Sequence, residues 1–317
     1  MDNYLERFDS MPPRWDTPVI IEAHINGAVT RNRHPNLPVT HEEIADEAIR
    51  CLDAGACLVH NHNTNFALKG EAAYEDYMKI WHKVFAKYPD ALLYPTLCRT
   101  TELTDTEAGN EHISLLVKRA GIQVSCMNPG ASNLAVREDP EEYLTGAPYM
   151  YDNTLIARQV RLMRETDTPI TFGCYEPGYM RMALHYFDRG LAPRGSSLDF
   201  YLIGDYGLLA TTPVNTAGMP VTMESLYFYL NMMGERRIPW YVSIWGAGSM
   251  DIRPIMKRAV ELGGHLRVGL EMYYNPDKRM SNVELYQEAR EIAREVGRPI
   301  ATAEQYLPIL KGEFTGD

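Results

Sequence analysis

His60 and His62 stand one residue apart at the end of the apolar run Ala-Gly-Ala-Cys-Leu-Val-His-Asn-His. Side chains at i and i+2 of a strand share a face, so both imidazoles can meet one cation. Neutral imidazole suits Zn²⁺, and a histidine pair is a common start to such a site. The bland alternative is two hydrogen-bonded histidines at a strand end. A second run, Gly263-Gly264-His265-Leu266-Arg267-Val268-Gly269-Leu270-Glu271, ends on a carboxylate. Glu271 would complete a His₂Glu set with an open coordination position, the mark of an ion that does chemistry. Arg267 shares its strand face and can orient a substrate carboxylate through its donor fork. Its alternative role is a buried salt bridge with Glu22 or Glu271, since buried arginine is rare unless paired.

Further candidates fall at the ends of other apolar runs. Glu22 and His24 alternate with Ile21, Ala23 and Ile25. Two ionisable groups facing a barrel lumen are costly unless paired or used, and they form either a proton relay or a mutually satisfied pair. Thr96 offers a hydroxyl, and Ser132 and Asn133 lie in Asn-Pro-Gly-Ala-Ser-Asn, which reads as a turn-rich loop. Glu176 follows in Cys-Tyr-Glu-Pro-Gly. Each can touch a substrate, although such residues more often form turns or caps. Gly248, in Gly-Ala-Gly-Ser, can approach a phosphate, but no Walker, dinucleotide or GxSxG pattern is present.

These residues need elements to position them. Short apolar runs alternate with amphipathic helical patterns along the chain. Strands are expected at Pro18–Asn26, Ala56–His62, Ala91–Thr96, Ile122–Cys126, Pro169–Cys174, Leu198–Ile203, Trp240–Ile244 and His265–Leu270. A helix capped by Thr40 with Glu43 three residues on (a capping box) leads into the second strand, and Asn153 is expected to cap another. Eight strands each trailed by a helix predict an α/β chain whose parallel strands close into a (β/α)₈ TIM barrel, with an N-terminal extension and an extra C-terminal helix. No Gly-, Ser- or Pro-rich linker divides residues 1–317, so a single domain is expected. Barrel chemistry sits at the C-terminal strand ends, where the histidine pair falls.

Bulk composition narrows the classes. A net charge of -11 with no Lys/Arg cluster argues against nucleic acid. No apolar stretch reaches membrane-span length and the N-terminus lacks a signal-peptide core, so a cytoplasmic protein is expected. Cys51, Cys57, Cys98, Cys126 and Cys174 include no CxxC pair and read as reduced thiols.

The pattern resembles the β-keto acid cleavage enzymes over about Pro18 to Leu310. It does so through Asn26-Gly27-Ala28, Leu37-Pro38-Val39-Thr40, Ala54-Gly55-Ala56, Val59-His60-Asn61-His62, the run Gly263 to Glu271, and Gly297-Arg298-Pro299-Ile300-Ala301-Thr302. The resemblance implies a tetrameric barrel with zinc or another divalent metal on His60, His62 and Glu271. It also implies condensation of a small β-keto acid with acetyl-CoA, yielding acetoacetate and a CoA thioester. Arg267 matches the family arginine beside the catalytic acid, Thr96 a hydroxyl residue near the substrate, and Asn133 a loop asparagine. The chain departs from the pattern at Met272, where the family has its general-base Asp, and at Asn63-Thr64, where it has Arg-Asp. Gly173 stands in place of a Glu and Val29 in place of a polar residue. Glu22 and His24 are the candidate replacements for the base. The alternatives are a metal-dependent lyase or hydrolase of another oxoacid without CoA, and a non-catalytic metal- and ligand-binding barrel.

Overall fold

Eight short runs of mostly buried residues form parallel strands in a computed structural model that describes residues 3–97 and 110–316. In chain order the first three are β1 (Ile21–His24), β2 (Val59–Asn61) and β3 (Leu93–Pro95), followed by β4 (Ser125–Met127). An antiparallel hairpin, β5 (Ala131–Glu138) and β6 (Leu144–Met150), interrupts the alternation. The barrel resumes with β7 (Ile170–Cys174), β8 (Ser197–Ile203), β9 (Trp240–Trp245) and β10 (His265–Val268). The sheet order is β3-β2-β1-β10-β9-β8-β7-β4. Its two edges meet, with the Cys126 thiol on β4 lying 3.5 Å from the Pro95 carbonyl on β3. The result is a nearly closed (β/α)₈ barrel, as expected.

Helices wrap it for the expected reason: each apolar stripe needs a sheet face to cover. They include α1 (Tyr4–Asp9), α2 (His41–Asp53), α3 (Gly70–Lys87), α4 (Glu111–Leu115, running on as a wider turn to Ala120) and α5 (Asn153–Glu165). Then come α6 (Pro177–Asp188), α7 (Met223–Met233), α8 (Arg253–Glu261), α9 (Asn282–Val296) and α10 (Ala303–Lys311). Thr40 and Glu43 form the predicted capping box on α2. At α5 the cap is Asp152, whose carboxylate accepts from the N–H groups of Thr154 and Leu155; Asn153 is the first helical residue. The extra C-terminal helix α10 closes the barrel floor, packing Tyr306, Ile309 and Leu310 against strand-entry residues Ile20, Leu58 and Val124.

One expectation is corrected. Residues 131–138 form a strand, not a loop: Ser132 and Leu134 are buried while Ala131 and Asn133 are exposed. Asn, Pro, Gly and Ser read as turn formers, but the partner strand β6 supplies the ladder that makes this segment extended.

Cys51, Cys57 and Cys174 are buried free thiols and Cys126 is half-buried; Cys98 lies outside the described residues. Among the described residues, no helix is long and apolar enough to cross a membrane.

Candidate active site

Strand register decides which side chains meet. Glu22 on β1 pairs with Arg267 on β10, and one layer higher His24 pairs with His60 on β2. Alternation points Glu22 and His24 into the lumen, while Ile21 and Ala23 join the core beneath the helices.

The lower layer is a closed ionic network. Arg267 Nη1 donates to Asp199 at 2.9 Å and Nη2 to the Thr171 hydroxyl at 3.0 Å. Arg267 Nε lies 2.7 Å from Glu22 Oε2, a close charge contact at an angle too bent for a hydrogen bond. Tyr306 donates to Glu22 Oε1 at 2.7 Å, and Ser243 donates to both Asp199 oxygens at 2.9 Å. Burial pushes the Glu22 carboxyl up, but Arg267 and His24 outweigh it and hold it down at about 2. For Asp199 burial wins, and its carboxyl is raised even beside Arg267.

The upper layer is different. Glu271 lies three residues past the end of β10 and is aimed by backbone contacts. Its N–H donates to the His24 carbonyl at 3.2 Å, and Asn282 on α9 ties the Leu270 N–H to the Ile25 carbonyl. Gly269 permits this close approach. Its φ is +146°, and a Cβ there would sit 2.0 Å from the His24 carbonyl oxygen. His62 is gripped at its backbone by Asn26, whose side-chain oxygen accepts from the His62 N–H at 2.7 Å. Asn61, on the opposite face, accepts from the Trp81 indole at 2.8 Å.

Three imidazoles therefore converge on one carboxylate. Glu271 Oε2 is 3.0 Å from His24 Nδ1 and 3.3 Å from His60 Nε2, and Oε1 is 2.8 Å from His62 Nε2. Glu271, His24 and His60 put one ligand atom each within 4.8 Å of one another. From the sequence alone, His62 is expected in that close trio and His24 outside it. His62 reaches the other carboxylate oxygen instead.

Tautomers make the arrangement informative. The Tyr94 carbonyl, 3.1 Å from His60 Nδ1, can only accept, so Nδ1 carries the proton and Nε2 presents a lone pair to Glu271. Burial pushes the His60 imidazole down to about 4 against the pull of Glu271. Two acceptors 3.3 Å apart repel unless a cation lies between them. His62 Nδ1 is also buried without a hydrogen-bond partner. Behind His24, Nε2 faces Glu22 at 3.3 Å and the Tyr94 hydroxyl at 3.2 Å, the carboxylate–histidine arrangement that orients metal ligands. Burial lowers the His24 imidazole, but Glu22 and Glu271 outweigh it and raise it. Glu271 is held well below the usual carboxylate range, because the histidines overcome its burial. The donor set fits a divalent cation with N and O ligands.

Above the cluster opens a cavity of about 210 Å³ lined by His24, His60, His62, Glu271, Arg267 and Thr96, among others. Glu22 is fully buried below it and does not line it. Ser132, Asn133, Glu176 and Gly248 do not line it either. The Ser132 hydroxyl donates to Glu176 at 3.0 Å, and the same Glu176 oxygen accepts from the Gly218 N–H, so this pair ties the hairpin to the barrel. Asn133 is exposed on the hairpin's outer face. The Gly248 N–H donates to the Tyr274 carbonyl. Asp199 and Tyr94 escaped the sequence analysis although both carry a signal. Asp199 alternates with Ser197 and Tyr201 on one strand face, and Tyr94 stands two residues before Thr96.

A family profile described as beta-keto acid cleavage enzyme matches residues 18–311. A 3-keto-5-aminohexanoate cleavage enzyme from Acetoanaerobium sticklandii is 24% identical over 297 residues, 92% of this chain and 97% of that protein. A 3-oxoadipate:acetyl-CoA acetyltransferase from Cupriavidus necator is 24% identical over 300 residues, 92% and 94% of the two chains. The solved ternary complex of ObcA with a C4-CoA adduct and oxalate shares the fold. Its TM-score is 0.60 at 18% identity, covering 88% of this chain and 68% of that one.

Proposed function

This chain belongs to the β-keto acid cleavage enzyme family, and from that premise we propose that it condenses a β-keto acid with acetyl-CoA and cleaves the adduct. The products are acetoacetate and the CoA thioester of the remaining acyl group. The acetyltransferase among its relatives supports acetyl-CoA as the partner substrate. The observation that carries the reading is the upper layer, where buried acceptors on His60 and Glu271 face each other across 3.3 Å. In this proposal a divalent cation, zinc first among several that accept N and O ligands, is held by His60, His62 and Glu271. When bound it supplies Lewis acidity toward the substrate oxygens.

The chain's own residues then have distinct tasks. Met272, buried, stands where the family carries its general base. His24 lines the cavity with Nε2 toward Glu22, so we assign its Nδ1, once Glu271 turns from it to a cation, the proton from the carbon that becomes nucleophilic, with Glu22 orienting the ring. Thr96 lines the cavity and is placed to hydrogen-bond the substrate. Arg267 lines it too, but its guanidinium faces Asp199, Thr171 and Glu22, and its task is to set the height of the layer above. A second assignment, favoured by the close trio of His24, His60 and Glu271, makes His24 a ligand in place of His62.

The test is turnover of β-keto acids by the zinc-loaded protein with and without acetyl-CoA. Acetyl-CoA-dependent formation of acetoacetate is the expected result. Turnover without CoA would instead support an oxoacid lyase or hydrolase, and no turnover across a broad β-keto acid screen would leave a ligand-binding barrel.

A further inference from the structure

The wall of the cavity away from the cluster has a different chemistry. Leu97, Leu134, Val136, Leu209 and Trp245 line it, with the phenols of Tyr149, Tyr175 and Tyr201. The three phenol groups are raised above their ordinary value by burial, so they are neutral hydroxyls. Among the described residues, the ionisable groups of the lining, apart from the phenols and the half-buried Cys126, are the histidines and Glu271 of the cluster and Arg267. Arg267 points Nη1 at Asp199 and Nη2 at Thr171, with Nε 2.7 Å from Glu22, so its charge is already matched by two carboxylates.

Backbone geometry keeps the wall this way. At Gly173 a Cβ would lie 2.2 Å from Asn128 Oδ1 and 3.1 Å from the Tyr201 hydroxyl, so a side chain there would have to displace the Asn128 amide. Asn128 in turn donates to the Tyr149 hydroxyl. The hairpin supplies Leu134 and Val136 from β5 and Pro148 and Tyr149 from β6. Leu208 and Leu209 come from a loop pinned by buried Arg33, which donates to the Gly207 and Ala210 carbonyls at 3.0 Å. The wall is therefore held in place by contacts within the chain itself.

From this we infer that the acid taken by the cluster carries an uncharged, largely apolar tail, and that the β5–β6 hairpin is the element that selects it. The inference rests on the keto acid reading above for the head of the molecule, but the tail argument stands on the wall alone. The cavity of about 210 Å³ takes the head of the acid beside the cluster as well as its tail, and an apolar cavity of roughly 150 Å³ holds benzene, so the tail is short. A carboxylate or ammonium at the far end would be desolvated with no countercharge among the described lining residues, because the polar groups there are neutral: the phenols, the Asn128 amide and the buried Trp245 indole N–H, which has no hydrogen-bond partner.

The experiment compares two six-carbon acids, 3-oxohexanoate and 3-oxoadipate, which differ only in the terminal carboxylate. Each is titrated calorimetrically into the zinc-loaded full-length protein and then assayed with acetyl-CoA. The expected result is tighter binding and a kcat/KM higher by about 100-fold or more for 3-oxohexanoate. Equal or reversed preference overturns the inference, even if both acids are turned over and the cleavage reading stands. Preferential binding of 3-oxohexanoate without turnover of either acid supports the tail inference and overturns the cleavage reading. Binding of neither overturns both. A Leu134→Arg variant should reverse the preference while its zinc content stays that of the parent; an unchanged preference in a folded, zinc-loaded variant removes the hairpin from specificity.

Discussion

Two buried polar layers lie one above the other in this barrel, and they differ in what faces what: opposite charges below, lone pairs above. Below, Arg267 is matched by Glu22, Asp199 and Thr171, and Tyr306 and Ser243 fill the remaining carboxylate positions. Above, lone pairs of His60 and Glu271 confront one another, and His62 keeps a buried nitrogen without a partner. Both layers hold charge in a low-dielectric interior, so burial of charge does not by itself mark a site. Two lone pairs facing each other do. Opposite charges in contact specify the geometry of the strands; facing acceptors call for a cation.

The sharpest way to break this contrast is Glu271→Gln. It removes the charge on which three imidazoles converge, so metal affinity should fall by more than the 10–100-fold typical of an outer partner, with turnover lost alongside. Retained metal in that variant would place the cation elsewhere. Glu22→Gln comes next and separates the two assignments of His24. If His24 handles the proton, turnover collapses while metal content stays. If His24 is a ligand, metal affinity falls about 10–100-fold as well. Unchanged turnover would remove Glu22 from the mechanism.

In the lower layer, Arg267→Met leaves Glu22 and Asp199 buried without their cation. Urea denaturation should show a loss of about 3–5 kcal/mol, the cost of breaking a buried ion pair from one side. A loss within about 0.5 kcal/mol, the range of a neutral surface change, would mean that this layer does not hold the strands in place.

The smallest effect is expected at Asp199, whose carboxyl burial raises above its ordinary 3.8. A carboxyl raised in the folded state contributes stability that is fully present below the unfolded value. That contribution is lost as pH rises through the folded value. Asp199→Asn abolishes this loss, so the variant should gain stability relative to the parent between about pH 4 and neutrality. A relative stability that falls over that range would show that Arg267 overcomes the burial.

The barrel was legible because its strands are apolar runs at regular spacing, each followed by a helical stripe and a cap such as Thr40 with Glu43. The convergence of His60, His62 and Glu271 was also legible, since strand alternation and family spacing both point there. Three things were not. The hairpin hides behind turn-forming residues and needs its partner strand to become extended. Asp199 acquires its role only from barrel closure, which brings β8 across the lumen to Arg267 on β10. His24 reads as half of a Glu–His pair, and only the register of β1 against β2 sets it beside His60.

The central claim is that the upper layer is a cation site, and zinc titration tests it most directly. Calorimetric titration of Zn²⁺ into the chelator-stripped protein, beside the His60→Ala and Glu271→Gln variants, should give one tight site in the parent and a severely weakened one in both variants. Equal zinc binding by all three proteins, or none by the parent, would contradict the account.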